Sequence, residues 1–174
     1  LSSLGSMKRL SKVNTTVTIK PIPSVFPISI SALELFENED YKPDSLKIYP
    51  CLVMKGTPLY MQYKKGEFKP LTTEEAAEII AEAEKSIPEY CRVMRVNRDI
   101  PSTVIEDGVM STNLRQIVDK KNNACRCIRC REPMGREIDY SSIELKKFYY
   151  DSSGGKEVFI SIEDSKNDIL IGFC

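Results

Sequence analysis

The stretch Cys125-Arg126-Cys127-Ile128-Arg129-Cys130 constrains this chain more than any other part of it. Three of the six cysteines fall within six positions, and the chain has no histidine. Thiolates so close in sequence can turn inward around one ion at small entropic cost, and sulfur holds zinc tetrahedrally at roughly 2.3 Å. C-x-C-x-x-C supplies three ligands and demands a fourth. Cys174 is the expected fourth, because it lies in another element and would tie the C-terminal region to the loop. Cys51 and Cys91 sit in apolar strand contexts, where cysteine behaves as a small hydrophobe. Three free thiols in a basic loop, or an iron–sulfur cluster, are the other readings of the same residues.

The missing histidines exclude whole classes of chemistry: Ser-His-Asp and Cys-His nucleophiles, H-E-x-x-H metalloproteases, Cys2His2 fingers and histidine acid/base work. Clustered thiols without a secretory leader point to a cytoplasmic protein that binds metal rather than forming disulfides, which makes the Asn14-Thr15-Thr16 sequon irrelevant. No apolar run approaches the ~20 residues needed to cross a bilayer, so no membrane partner is expected.

Hydrophobic periodicity predicts a mixed α/β fold. Residues 1–32 stay unplaced: Gly5-Ser6-Met7 reads as a tag scar, and Pro21, Pro23 and Pro27 predict extended, edge-like backbone over Thr15–Ile30, unless gaps separate these residues. Ala32–Phe36 is a short helical pattern. Leu46–Tyr49 is a strand candidate, and Leu59–Lys65 a helix stopped at Gly66. Thr72-x-x-Glu75 is a capping box opening the clearest helix, with Ala76, Ile79, Ile80, Ala83 and Ile87 on one buried face and Pro88 at its end. Cys91–Val96 is the next strand, giving the strand–helix–strand unit of a parallel sheet. After the cysteines, Ser141–Tyr149 is expected to be helical. Val158–Ile162 and Ile169–Phe173 form a hairpin about the polar turn Asp164–Asp168. A hairpin is marginal alone, so a longer protein is expected.

Charge is distributed unevenly. Lys+Arg and Asp+Glu both number 25, so total charge predicts no polyanionic partner. Yet Arg92–Arg131 holds nine basic residues (Arg92, Arg95, Arg98, Arg115, Lys120, Lys121, Arg126, Arg129, Arg131) against four acids. Seven of the nine are arginine, which grips phosphate with paired N–H donors. This is the electrostatic footprint of nucleic-acid binding, with backbone and shape contacts dominating because no base-reading helix is evident. A solvated face with internal ion pairs is the plainer alternative.

Several runs, in order, resemble the catalytic subunit of Elongator, especially its archaeal and bacterial forms. They are Leu46-Lys47-Ile48-Tyr49-Pro50, Arg95-Val96-Asn97-Arg98-Asp99-Ile100-Pro101, Ser111-Thr112-Asn113-Leu114-Arg115, the stretch from Cys125 to Glu132, and Glu163-Asp164-Ser165-Lys166-Asn167-Asp168-Ile169-Leu170-Ile171-Gly172. Phe36-Glu37-Asn38 and Tyr149-Tyr150 also fit. The resemblance covers about residues 33–174.

It implies a tRNA-modifying acyltransferase that joins a radical-SAM barrel to a GNAT acetyltransferase domain. Such an enzyme uses a [4Fe-4S] cluster, S-adenosylmethionine and acetyl-CoA to place a carboxymethyl-type group on carbon 5 of wobble uridine (U34). Residues 33–118 would close the radical-SAM partial barrel. Residues 119–137 would form a zinc-binding linker, and residues 138–174 the first helix and strands of the GNAT-like domain. The tRNA cleft would run across both, and Elongator-type subunits or a second copy would be partners. The family's upstream cluster motif and its acetyl-CoA loop have no counterpart here, so catalytic and cofactor-binding residues stay unassigned and the 174 residues are expected to be inactive alone. A stand-alone zinc-linked RNA-binding module and a subunit-docking scaffold are the competing readings.

Overall fold

A computed structural model describes residues 15–19, 34–98, 100–121 and 124–174. The tag-like N-terminus and the three early prolines lie outside the described residues. Residues 34–37 form the expected helical turn. Strand β2 (Ser45–Pro50) alternates strictly, with Leu46, Ile48 and Pro50 buried. It pairs in parallel with β1 (Thr15–Ile19) on one side and β4 (Arg92–Val96) on the other. The extended backbone expected from Thr15 is thus an edge strand, as far as Ile19.

Helix α1 (Pro58–Lys64) starts where Thr57 caps the Tyr60 N–H and proline occupies the first turn. Helix α2 (Thr73–Glu84) carries the predicted capping box in full: Glu75 N–H donates to Thr72 Oγ1 at 3.2 Å and Thr72 N–H to Glu75 Oε2 at 2.8 Å. Its stripe of Ala76, Ala77, Ile80, Ala81 and Ala83 is buried. Each fully buried side chain of Ile80's size contributes about 1.5–3 kcal/mol. A short antiparallel ribbon, β3 (Val53–Met54) with β5 (Ile105–Asp107), closes one end. Gly108 follows at φ +114°, where a Cβ would lie 3.2 Å from Leu52 Cδ2 and 3.3 Å from the Cys51 carbonyl.

Helix α3 (Leu114–Lys121) docks on α2 through Leu114 and Val118, both fully buried. The four-residue α4 (Ile128–Arg131) is pinned to the parallel sheet by Ile128 N–H donating to the Cys91 carbonyl at 2.9 Å. The C-terminal region is an antiparallel meander of β6 (Ile143–Ser152), β7 (Gly155–Asp164) and β8 (Ile169–Phe173).

One expected helix is wrong. Ser141 and Ser142 belong to a 3₁₀ turn, and β6 then pairs with β7 without interruption from Ile143↔Asp164 to Ser152↔Gly155. Only Ile143 and Leu145 supported a helical period there. The following Phe148, Tyr149 and Tyr150 favour pleated backbone, and Ser153 (φ 53°) and Gly154 (φ 73°) supply two positive φ angles at a two-residue turn, the geometry that matches strand twist. The meander and the parallel sheet share one core. Tyr90 stacks on Tyr150 at 4.0 Å between centroids, with Phe148 at 5.9 Å and Phe36 at 6.4 Å. Ile128 joins Phe159 and Leu170 in the same buried cluster. No helix among the described residues is long and apolar enough to cross a membrane.

Candidate metal centre and its basic surround

The Sγ atoms of Cys125, Cys127 and Cys130 all lie within 4.8 Å of one another. The spacing produces this directly. Cys127 has extended backbone at the N-cap of α4, and one helical turn returns Cys130 to its side, with Cys130 N–H donating to the Cys127 carbonyl at 3.1 Å. The Cys127 and Cys130 sulfurs are 3.6 Å apart. Cys127 is fully buried and Cys125 nearly so. Hydrogen bonding with Cys125 and Cys130, aided by the Val93 and Cys130 backbone, pulls the Cys127 thiol well below the usual thiol range. Its partner Cys125 is pushed far up, first by the hydrogen bond to Cys127. A cation entering the site would expel the thiol protons, since the thiolate is the ligand form. Three convergent soft donors suit a thiophilic divalent ion.

Cys174 does not join them. It is exposed, and its backbone N–H and carbonyl pair with Ile160 at 2.8 and 2.9 Å, extending the meander. Its neighbours, Arg92, Ile128 and Phe173, line a different cavity from the one that Cys125 and Cys130 face. Cys91 is buried, and desolvation raises its thiol pKa, as a core cysteine requires.

What ties the meander to the thiol loop is an ion pair. Arg131, only 1% exposed, donates to Glu163 Oε1 at 2.6 Å, to the Arg126 carbonyl at 2.9 Å and to the Glu89 carbonyl at 3.0 Å. Glu163, also 1% exposed, accepts in addition from Ser161 Oγ at 2.7 Å and Lys146 Nζ at 3.0 Å. Burial pushes its carboxyl up, but the bonds from Arg131, Ser161 and Lys146 outweigh that and hold it at about 2. Nearby, the buried Asp164 carboxylate gathers the β7–β8 turn, accepting from Ser142 Oγ, the Asp139 N–H, the Lys166 N–H and both the backbone and side-chain amides of Asn167.

Arg131 is thus removed from the set of phosphate-facing residues, because its guanidinium is spent inside the protein. The other eight divide. Arg92 pairs with Glu132, Lys121 with Glu74 and Glu78, and Arg126 with Glu89 and Asp168. Arg115 donates to the Val93 carbonyl at 2.9 Å, and Arg98 lies 4.9 Å over the Tyr49 ring. Arg95, Arg98 and Lys120 are exposed and Arg129 is half-buried. Arg115, Arg129 and Arg136 line the same cavity of about 370 Å³ as Cys125 and Cys130. Arg136 fell outside the charged stretch counted from sequence.

Sequence reading missed three buried acids, Glu84, Glu163 and Asp164. Glu84 sits one turn beyond Ile80 on the apolar stripe of α2, and an acid at a stripe position is a visible signal. Glu163 occupies a core-facing register position that only the sheet reveals.

Fold and site together define a mixed α/β segment in which a parallel-sheet unit leads, through a thiol-bearing connection, into a β-meander. Residues 43–123 match the Radical_SAM C-terminal domain. Over most of its length the chain is similar to the archaeal tRNA uridine(34) acetyltransferases and to Elongator complex protein 3. It is 50% identical over 150 residues to the tRNA uridine(34) acetyltransferase of Methanocaldococcus jannaschii, an alignment covering 80% of this chain and 28% of that protein. It is 39% identical over 147 residues to Elongator complex protein 3 of Homo sapiens, covering 80% of this chain and 27% of that protein. The structure of archaeal Methanocaldococcus infernus Elp3 with an N-terminal deletion superposes with a TM-score of 0.82 at 44% identity, over 94% of this chain and 41% of that one. The chain therefore spans little more than a quarter of the length of the curated relatives it matches.

Proposed function

We propose that this chain is the tRNA-gripping and metal-bearing segment of an acyltransferase that modifies carbon 5 of the wobble uridine of tRNA. On this reading, residues 33–118 end a radical-SAM domain, residues 119–137 are a zinc linker, and residues 138–174 open a GNAT-type acetyltransferase domain. The whole enzyme would supply the [4Fe-4S] cluster, S-adenosylmethionine and acetyl-CoA sites. Cys51, Cys91 and Cys174 stand apart from the thiol trio and offer no second cluster site among the described residues. The trio would hold a structural zinc and supply three of its four ligands.

The observation that carries the reading is the placement of the trio against arginine. Cys125 and Cys130 share their cavity with Arg115, Arg129 and Arg136, so a bound cation would fix the loop from which Arg129 projects toward the other two. Relatives that are tRNA uridine(34) acetyltransferases supply the substrate class. Exposed Arg95, Arg98 and Lys120 extend the basic surface. Titration of labelled tRNA at increasing salt tests it. Affinity is expected to fall log-linearly, with a slope of roughly −0.7 to −0.9 per phosphate contacted. Charge reversal at Arg98 and Arg129 should weaken binding and flatten the slope. Salt-independent affinity, or reversal variants that bind like the parent, would remove tRNA contact from this segment.

A further inference from the structure

We propose that the outer edge of β6 is a dimer interface, at which two copies of this chain join strand to strand in antiparallel register about Tyr149. None of its residues belongs to the thiol trio or its cavity.

β6 is the outer strand of the meander, whose order is β6-β7-β8. The backbone groups that it turns outward can be assigned residue by residue. The Ile160 N–H donates to the Cys174 carbonyl at 2.9 Å, and the Ile160 carbonyl accepts from the Cys174 N–H at 2.8 Å. Both groups of Ile160 therefore point toward β8, and neither is given to Lys147, which faces Ile160 across the β6–β7 ladder. Lys147↔Ile160 is then a non-hydrogen-bonded pair, and Lys147 turns its own N–H and carbonyl away from β7. The ladder runs without a register shift from Ile143 to Ser152, so the period of two extends the assignment to Leu145, Tyr149 and Asp151. These four residues find no backbone partner among the described residues. Proteins blunt such edges with short strands, proline, bulges or a covering loop. β6 is ten residues long and has no proline and no bulge, and Leu145 and Tyr149 are left 62% and 66% exposed.

The side chains select the strand that this edge accepts. Lys147 and Asp151 flank Tyr149 on one face of β6, both exposed and neither ion-paired among the described residues. A two-fold axis at Tyr149 sets Lys147 of each protomer opposite Asp151 of the other, with the two Tyr149 rings meeting between them. All of these pairs are of the hydrogen-bonded kind, giving about six N–H···O bonds. Other registers lose this match. An axis at Lys147 sets lysine against lysine, and one at Asp151 sets acid against acid. Axes on the residues between leave neither Lys147 nor Asp151 facing an opposite charge. An axis at Leu145 pairs Glu144 with Lys146, but Lys146 is already held by Glu163 at 3.0 Å and the overlap shrinks to Ile143–Lys147. A pattern that complements itself selects a second copy of the chain over an unrelated strand.

Sedimentation equilibrium of the whole chain at low salt, over a range of concentrations, tests the interface. A reversible monomer–dimer equilibrium is expected. K147D and D151K each set like charges opposite one another at both ends of the pairing and should weaken the dimer about tenfold. The double variant K147D/D151K restores opposite charges and should return to within about threefold of the parent. Y149P probes the backbone. The Tyr149 N–H faces away from β7, so proline there spares the meander and should abolish the dimer while the dilute protein melts close to the parent. Should Y149P unfold, the charge swap decides alone. Amide exchange reads the register: protection at Lys147, Tyr149 and Asp151 should rise with concentration in the parent. A chain that stays monomeric at every concentration, which assigns the edge to a strand of other origin, overturns the proposal. So does a folded Y149P that dimerises like the parent, or a double variant no tighter than the singles.

Discussion

Glu163→Gln is the most informative single change outside the thiol loop. The buried carboxylate joins the meander to α4 through Arg131, at 2.6 Å. The fall of its pKa from 4.5 to about 2 corresponds to about 3 kcal/mol of stability at neutral pH. Removing one partner of a buried pair costs a similar amount, ~3–5 kcal/mol, because the other charge is left uncompensated. For a chain of this size that lowers the melting temperature by roughly 6–12 °C. The pH dependence follows from the direction of the shift. The folded value lies below the unfolded one, so the stabilisation is complete above about pH 4.5 and is lost as pH falls from there toward about 2. Urea melts of parent and E163Q should therefore differ by about 3 kcal/mol at pH 7 and converge only as pH falls to about 2. Arg131→Met should destabilise comparably, and the double variant R131M/E163L should recover most of the loss, since apolar replacement of a whole buried pair is often neutral. A single-variant loss below about 1 kcal/mol, a gap that persists at low pH, or a double variant as unstable as the two singles added would refute the coupling.

Other outcomes are expected at separate positions. Thr72→Ala removes the α2 capping box and should cost about 1 kcal/mol, read as a lower urea midpoint with unchanged slope. Gly108→Ala forces a Cβ against Leu52 and the Cys51 carbonyl at φ +114° and should cost roughly 1–3 kcal/mol, measured the same way. Cys127→Ser should abolish zinc retention in elemental analysis and lower the melting temperature; chelation of the parent should reproduce that drop, and chelator should leave C127S unmoved.

Local rules carried the first half of the fold. Alternation at Leu46 and Ile48, the Thr72–Glu75 box and the i, i+4 stripe through Ile80 are satisfied by neighbours in sequence, so the residues themselves specify strand, cap and helix. The same holds for the thiol trio, because three sulfurs spaced x and x-x converge through one extended residue and one helical turn. Residues 141–149 failed for the opposite reason. Their helical period was two residues deep, and pairing with β7 across the Ser153-Gly154 turn outweighed it.

The candidate site was legible as far as its three cysteines and the arginines beside them; its closure was not. Which basic side chains face solvent depended on partners from other elements: Arg131 is buried because Glu163 arrives from β7, and Arg126 is shared between Glu89 and Asp168. The place of Cys174 was decided by β-pairing with Ile160, which holds it in line with the meander. Sequence by itself determined the short-range devices, since their partners lie within a few residues. Tertiary structure decided every contact between a sheet and a loop, because burial and charge pairing over long separations depend on which faces are brought together.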